Sequence, residues 1–194
     1  MRCMVRPAGR GRAGTTELVV AHTAQLPADV LGQCRALLDD AFAADGGFGD
    51  EDWDHALGGL HVLLRQGPEL VGHAALVTRR LLHGGRAWRT GYVEAVAVRA
   101  DLRRQGLGGL LMAEVERAAD TAHQLAALST SELGAAFYAA RGWAAWRGPT
   151  SALTPAGVVR TPDEDGGVLV LPSSTPDLDV TGELTCDWRD GDLW

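Results

Sequence analysis

The stretch Gly91-Tyr92-Val93-Glu94-Ala95-Val96-Ala97-Val98, then Arg99-Ala100-Asp101-Leu102, then Arg103-Arg104-Gln105-Gly106-Leu107-Gly108-Gly109 decides the fold. Its first eight residues have β-strand composition. After the glycines, Leu107, Leu110, Leu111, Val115 and Ala118 recur on one helical face. A strand that ends in a short basic, glycine-rich turn and opens a helix is suited to phosphate. The turn's free N–H groups and the positive helix end face the anion, and glycine lets the backbone approach closely. The turn reads R-x-x-G-x-G and matches neither G-x-x-x-x-G-K-[ST] nor G-x-G-x-x-G. Taken alone, the same residues also read as a plain strand-to-helix connection.

Working outward, residues 17–22 read as a strand. Pro27 opens a helix whose Val30, Leu31, Cys34, Leu37, Leu38, Ala41 and Phe42 keep helical spacing. Residues 45–53 read as an acidic loop. Strands are expected at 60–65, 69–82 and 86–98, with Gly67-Pro68 and Gly84-Gly85 as the turns. Beyond the central helix come a strand at 124–129 and a short helix at 132–141 stopped by Gly142. From Trp143 the chain is strand-like, punctuated by Pro and Gly, and ends in a polar tail. The order β-α-β-β-β-α-β-α-β is mixed α/β. The helix after Gly106 is the crossover that lets the strand ending at Val98 lie parallel to the strand at 124–129, and two such strands that separate at one end form a cleft. Residues 17–194 are expected to form a single domain, and residues 1–16, with Arg2, Arg6, Arg10 and Arg12, a disordered extension.

The net charge is −7, but four of the 18 basic residues lie in the extension, leaving 14 against 25 acidic residues in the remainder. A body of that charge repels nucleic acid, whose binding rests on neutralising phosphates. No run approaches the roughly 18 consecutive apolar residues of a membrane span. Cys3, Cys34 and Cys186 are odd in number and lack metal-ligand spacing, so no metal is expected and a cytoplasmic location is. Cys34 falls on the apolar helix face and reads as a buried thiol.

Glu94 is a carboxylate in an otherwise apolar strand, which costs free energy unless it is paired or functional. Strict alternation would put it on one face with Tyr92, Val96 and Val98. It reads either as a proton acceptor or as a salt-bridge partner of Arg79 or Arg80. The later stretch Ala135-Ala136-Phe137-Tyr138-Ala139-Ala140-Arg141-Gly142-Trp143 places Tyr138 on the short helix before a Gly-Trp pair, where it reads as core packing or as a phenol with a role.

These two motifs, in this order, resemble the signatures of the GNAT acetyltransferase superfamily. The resemblance implies a GNAT fold: a mixed, mostly antiparallel sheet with splayed parallel strands, flanked by helices, holding acetyl-CoA as cosubstrate. The backbone of Val96, Ala97 and Val98 would pair with the pantetheine arm as an added strand does. The turn Arg103, Arg104, Gln105, Gly106, Leu107 and Gly108 would hold the pyrophosphate. Glu94 would take the proton of the attacking ammonium. Tyr138, protonated at neutral pH, would return one to the thiolate.

A narrower resemblance covers almost everything after residue 16. Glu51-Asp52-Trp53-Asp54-His55, Gly91-Tyr92-Val93-Glu94, Gly148-Pro149-Thr150-Ser151, Arg160-Thr161-Pro162-Asp163-Glu164-Asp165 and Cys186-Asp187-Trp188-Arg189 look like aminoglycoside 2'-N-acetyltransferases. It implies a polycationic sugar as substrate, contacted by Asp45 or Asp50, by Asp52, Glu94, the backbone at Ala95, Ser129, Asp163, Glu164, Asp192 and the α-carboxylate of Trp194. That carboxylate is a second candidate base. From Asp163 to Trp194 there are nine acidic residues against one arginine, a charge balance that attracts a polycation. Without the resemblance the same segment reads as a solvated acidic tail. The superfamily implies a homodimer. Two other functions fit the same motifs: acetylation of a different amine, such as a polyamine or a cell-wall amino sugar, and a non-catalytic acetyl-CoA-binding module.

Overall fold

The computed structural model describes residues 4–7, 15–44, 46–171 and 177–194. In chain order the elements up to the central helix are β1 (Met4–Pro7), β2 (Thr16–His22), α1 (Ala28–Phe42), α2 (Asp50–Ala56), β3 (Leu60–Gln66), β4 (Glu69–His83), β5 (Arg86–Val98) and α3 (Leu107–Ala122). There follow β6 (Leu125–Ser129), α4 (Glu132–Ala139), β7 (Ala144–Ala145), β8 (Thr150–Thr154), β9 (Gly157–Arg160), β10 (Val168–Leu171) and β11 (Leu184–Cys186). The chain divides into two compact units, Met1–Val77 with Glu94–Arg117, and Thr78–Val93 with Ala118–Trp194. The long elements β4, β5 and α3 give part of their length to each.

In the first unit, β1, β2, β3 and the first half of β4 pair antiparallel in that order, with Val19 opposite Leu63 and Leu63 opposite His73. One face of α1 packs on this sheet. Cys34 and Leu37 bury with Leu63 and Leu70, and Val19, Leu26, Val30 and Trp53 close over them. Each such leucine contributes about 1.5–3 kcal/mol by leaving water. Burial pushes the Cys34 thiol up to about 12, so the expected buried thiol is present as an inert one. Two expectations change here. Met4–Pro7, expected in a disordered extension, adds a strand to the edge of β2. Residues 50–53, expected in the acidic loop, open helix α2, because the acids fall in its first turn, where the helix dipole favours them.

In the second unit, the first part of β5 runs parallel to β6 through Thr90↔Leu125, Gly91↔Ala126 and Tyr92↔Ala127, as the crossover required. The register stops at Tyr92, while β5 continues to Val98. β10 lies antiparallel to β6, and β7 to β10. β8 and β9 form a hairpin, and β11 joins β8 in parallel and touches the end of β4 at Thr185↔Leu82. Trp146, Leu125, Leu128, Val168 and Leu184 are buried in this unit.

Candidate functional site

In the first unit the glycine-rich turn has alternating backbone handedness. Arg104 has φ 60° and Gly106 has φ 83°, with Gln105 between them. Such alternation turns successive N–H groups toward one concavity, a geometry that binds anions. The first α3 bond from this region runs from Leu110 N–H to Gly106 O, so the amides of Leu107, Gly108 and Gly109 precede the helix's own acceptors. The turn therefore fits a pyrophosphate through its backbone. Arg103 behaves differently from a simple phosphate clamp. Its Nε donates to Val98 O at 3.2 Å and its Nη2 to Ala41 O at 3.3 Å, bonds that brace the turn and leave three of its five donors. Gln105 likewise donates to Asp101 O.

Upstream of the turn, β5 is not regular. Ala95 has φ 52°, in the left-handed region that non-glycine residues rarely occupy. The strict alternation expected from Tyr92 to Val98 is therefore broken at Ala95. Glu94, Val96 and Val98 are half-buried, while Val93 and Ala97 are buried. The Ala95 carbonyl accepts a 2.7 Å bond from the ring of His73, which also meets His61 at 2.9 Å. Both rings are fully buried, and burial lowers both to about 4, so both are neutral at pH 7. Asp52 caps its own helix, its carboxylate accepting from Gly49 N–H at 2.7 Å. Asp50 pairs with Arg35. Asp45 lies outside the described residues.

The second unit holds the remaining candidates. Tyr138 is buried on α4 between Phe137 and Trp143, both meeting it edge to face. Burial pushes its phenol up to about 12, with Arg141 opposing, so it keeps its proton at neutral pH. Ser129, at the end of β6, donates to Glu164 at 3.4 Å. The Glu164 carboxyl is raised, first by burial and further by Asp192 and Asp163, with Ser129 and Arg189 opposing. Ser129, Glu164, Asp163 and Asp192 thus form one acidic group.

The C-terminus is not a free tail. The Trp194 side chain is 6% exposed, and its indole N–H donates to Thr161 Oγ1 at 2.9 Å. Thr161 in turn donates to Thr150, which donates to Asp165. Arg79, 5% exposed, donates to Leu193 O at 2.8 Å and to Asp187 through both its carboxylate and its carbonyl. Arg79 also lies over the Tyr92 ring, 4.7 Å from its centroid. Arg79, one of the two arginines read as an alternative partner of Glu94, pairs with Asp187. Asp187 sits far along the chain, and no local pattern announces the pair.

His61 and His73 were missed as a pair, although a histidine within each of two adjacent apolar strands was a usable signal. Among the described residues, no group of three His, Cys, Asp or Glu side chains is placed to hold a metal ion.

Residues 22–146 match the acetyltransferase (GNAT) domain family. Over 191 residues, 97% of this chain and 96% of the relative, the sequence is 49% identical to an aminoglycoside 2'-N-acetyltransferase of Mycolicibacterium fortuitum. Among solved structures, Escherichia coli ElaA aligns with a TM-score of 0.58 at 18% identity, over 80% of this chain and 97% of its own. The GNAT family N-acetyltransferase YhbS of Escherichia coli, solved in complex with CoA, aligns with a TM-score of 0.57 at 15% identity, over 92% and 93%. At those identities the two structures share the fold alone with this chain.

Proposed function

The chain belongs to the GNAT acetyltransferase family, and from that premise we propose that it acetylates the 2'-amino group of aminoglycosides, an antibiotic-resistance activity, in a ternary complex with acetyl-CoA. The observation that carries the substrate class is the 49% identity to an aminoglycoside 2'-N-acetyltransferase across 97% of the chain. The acidic group of Asp163, Glu164 and Asp192 agrees with it, since aminoglycosides carry several ammonium groups and charge-assisted hydrogen bonds are the strong ones. Asp52, Ser129, the Ala95 backbone and the Trp194 carboxylate complete the proposed contacts.

Acetyl-CoA supplies an activated thioester. The turn at 103–108 takes its pyrophosphate through backbone amides, and Val96, Ala97 and Val98 offer strand-like backbone groups to its pantetheine arm. Glu94 accepts the proton that the attacking ammonium must lose, and the Trp194 carboxylate is the alternative acceptor. As the new N–C bond forms and the C–S bond breaks, Tyr138 donates its phenolic proton to the departing sulfur. A phenol is protonated at neutral pH, and burial keeps this one so.

The protein is read as a cytoplasmic homodimer that binds neither nucleic acid nor membrane. Its net charge of −7 supports the first exclusion. Among the described residues no helix is long and apolar enough to cross a membrane.

The test is CoA release with paired aminoglycosides that bear either an amino or a hydroxyl group at the 2' position. Turnover is expected only with the 2'-amino compounds. Turnover confined to a polyamine or a cell-wall amino sugar would move the substrate assignment. No turnover with any amine would leave a binding module.

A further inference from the structure

We propose that His73, backed by His61 and Thr23, is a positioning residue for the reaction: a one-way hydrogen-bond chain that fixes the Ala95 carbonyl and with it the left-handed kink behind Glu94. The assignment of a catalytic consequence rests on the reading of Glu94 given above; the hydrogen-bond chain itself does not.

The chain is continuous and short. Gly58 N–H donates to Thr23 Oγ1 at 3.0 Å, and Thr23 Oγ1 lies 2.8 Å from His61 Nε2. His61 Nδ1 lies 2.9 Å from His73 Nε2, and His73 Nδ1 lies 2.7 Å from Ala95 O. A neutral imidazole has one donor and one acceptor nitrogen. A carbonyl oxygen only accepts, so His73 must carry its proton on Nδ1. Its Nε2 is then an acceptor, which puts the His61 proton on Nδ1 as well. His61 Nε2 must receive the Thr23 hydroxyl proton, whose competing acceptor, Gly59 O, is farther away at 3.3 Å. Every member is satisfied in one direction only. Both rings are held as the Nδ1–H tautomer, the less favoured form of a histidine in water.

The Ala95 conformation needs such support. An alanine at φ 52° is disfavoured, and the surrounding structure has to impose it. The 2.7 Å bond from the fully buried His73 ring holds that peptide. Loss of that bond removes a restraint on a return to regular strand geometry, in which side-chain alternation through Glu94 and Val96 is restored. The kink thus decides where the carboxylate of Glu94 and the amides after it point, and a buried histidine on the neighbouring strand β4 holds it.

Two measurements test this. Ring ¹⁵N shifts of the wild-type protein at pH 7 should report both His61 and His73 as neutral Nδ1–H tautomers. An Nε2–H form for either ring overturns the proposal. In turnover assays, His73→Phe should lower kcat by about 10-fold or more, with a smaller loss of acetyl-CoA affinity, since the amides of Val96 to Val98 move with the kink while the turn at 103–108 is untouched. His73→Asn, whose amide nitrogen can sit where Nδ1 was, should recover much of the loss. A folded His73→Phe protein with wild-type kcat overturns the positioning role. Should His73→Phe fail to fold, Thr23→Val decides: it removes the hydroxyl proton at the far end of the chain and should shift the tautomers and lower kcat together. Unchanged shifts and kcat in that variant overturn the proposal. If the wild-type enzyme acetylates no aminoglycoside, the substrate reading fails while the tautomer measurement still judges the hydrogen-bond chain.

Discussion

Appending a single glycine after Trp194 should raise the aminoglycoside KM by roughly 30-fold. The addition leaves the indole free to keep its burial and its bond to Thr161, and leaves the Leu193 carbonyl to Arg79. What moves is the α-carboxylate, by about one residue, or ~3.5 Å. Two unit charges at about 4 Å interact by roughly 4 kcal/mol at an effective dielectric of 20, and at about 7.5 Å by roughly half that. The difference of about 2 kcal/mol corresponds to about 30-fold in affinity. A freely moving chain end would show almost none of this, because its ordering entropy and solvent screening would absorb the gain. Here the end is already ordered by the Trp194 and Arg79 contacts. The assay is steady-state kinetics in both substrates at 0.05 M and 1 M salt. The aminoglycoside KM should rise, the acetyl-CoA KM should stay level, and the difference between variant and wild type should shrink at high salt as screening shortens to about 3 Å. A glycine-extended enzyme with wild-type kcat and KM at both salts would show that the terminal carboxylate takes no part in the site.

Glu94→Gln should lower kcat at neutral pH by about 10²-fold or more, and the loss should shrink at high pH, where the substrate amine is already neutral; a loss independent of pH would mark a positioning role instead. Tyr138→Phe should lower kcat by a similar order with little change in either KM, as expected for an interaction made in the transition state; a rise in the acetyl-CoA KM at normal kcat would make it a packing residue. Gly106→Asp should weaken acetyl-CoA binding at least 10-fold by calorimetry, since φ 83° disfavours any side chain and the new carboxylate repels pyrophosphate; unchanged affinity in a folded variant would remove the phosphate role of the turn. Stability should rise with pH between about 4 and 6.5. His61, which feels His73 and His22, and His73 stay neutral when folded but take up protons below 6.5 when unfolded. Their contribution is present above 6.5 and lost as pH falls toward 4, up to about 3 kcal/mol per ring. Thermal unfolding of His73→Phe should show a shallower slope over that range, and a slope equal to wild type would refute the assignment.

Local patterns make much of this protein legible in its sequence. The strand, basic turn and helix around Gly106, the parallel pairing of β5 with β6, the hairpins at Gly67 and Gly84, and the helix bearing Tyr138 all follow from periodicity and glycine placement. Those signals act over a few residues, so the sequence carries them openly. The chemistry of Tyr138 was only half legible: its residue type and helix were visible, but its high pKa comes from burial by Phe137 and Trp143 and the surrounding core.

What only the tertiary structure decided are the partners of buried polar groups and the local exceptions to regular geometry. Arg79 could have met Glu94 on the grounds of neighbouring strands; it meets Asp187, 108 positions along the chain. Ala95 carries no residue signal for a positive φ, and its kink is held by a histidine 22 positions earlier. Helix α2 looked like a loop because a run of acids is polar in any conformation, and Trp53 needed a cluster formed by Cys34, Leu37, Leu63 and Leu70 to bury against. Trp194 looked like the tip of a polar tail until Thr161 accepted its indole N–H and Arg79 donated to the Leu193 carbonyl before it. The physical reason is common to all of these. Backbone propensity and side-chain periodicity are properties of a segment and can be read from it. The free energy of a buried charge, a neutral histidine or a strained peptide depends on which distant groups desolvate it and bond to it, and the folded chain alone settles that.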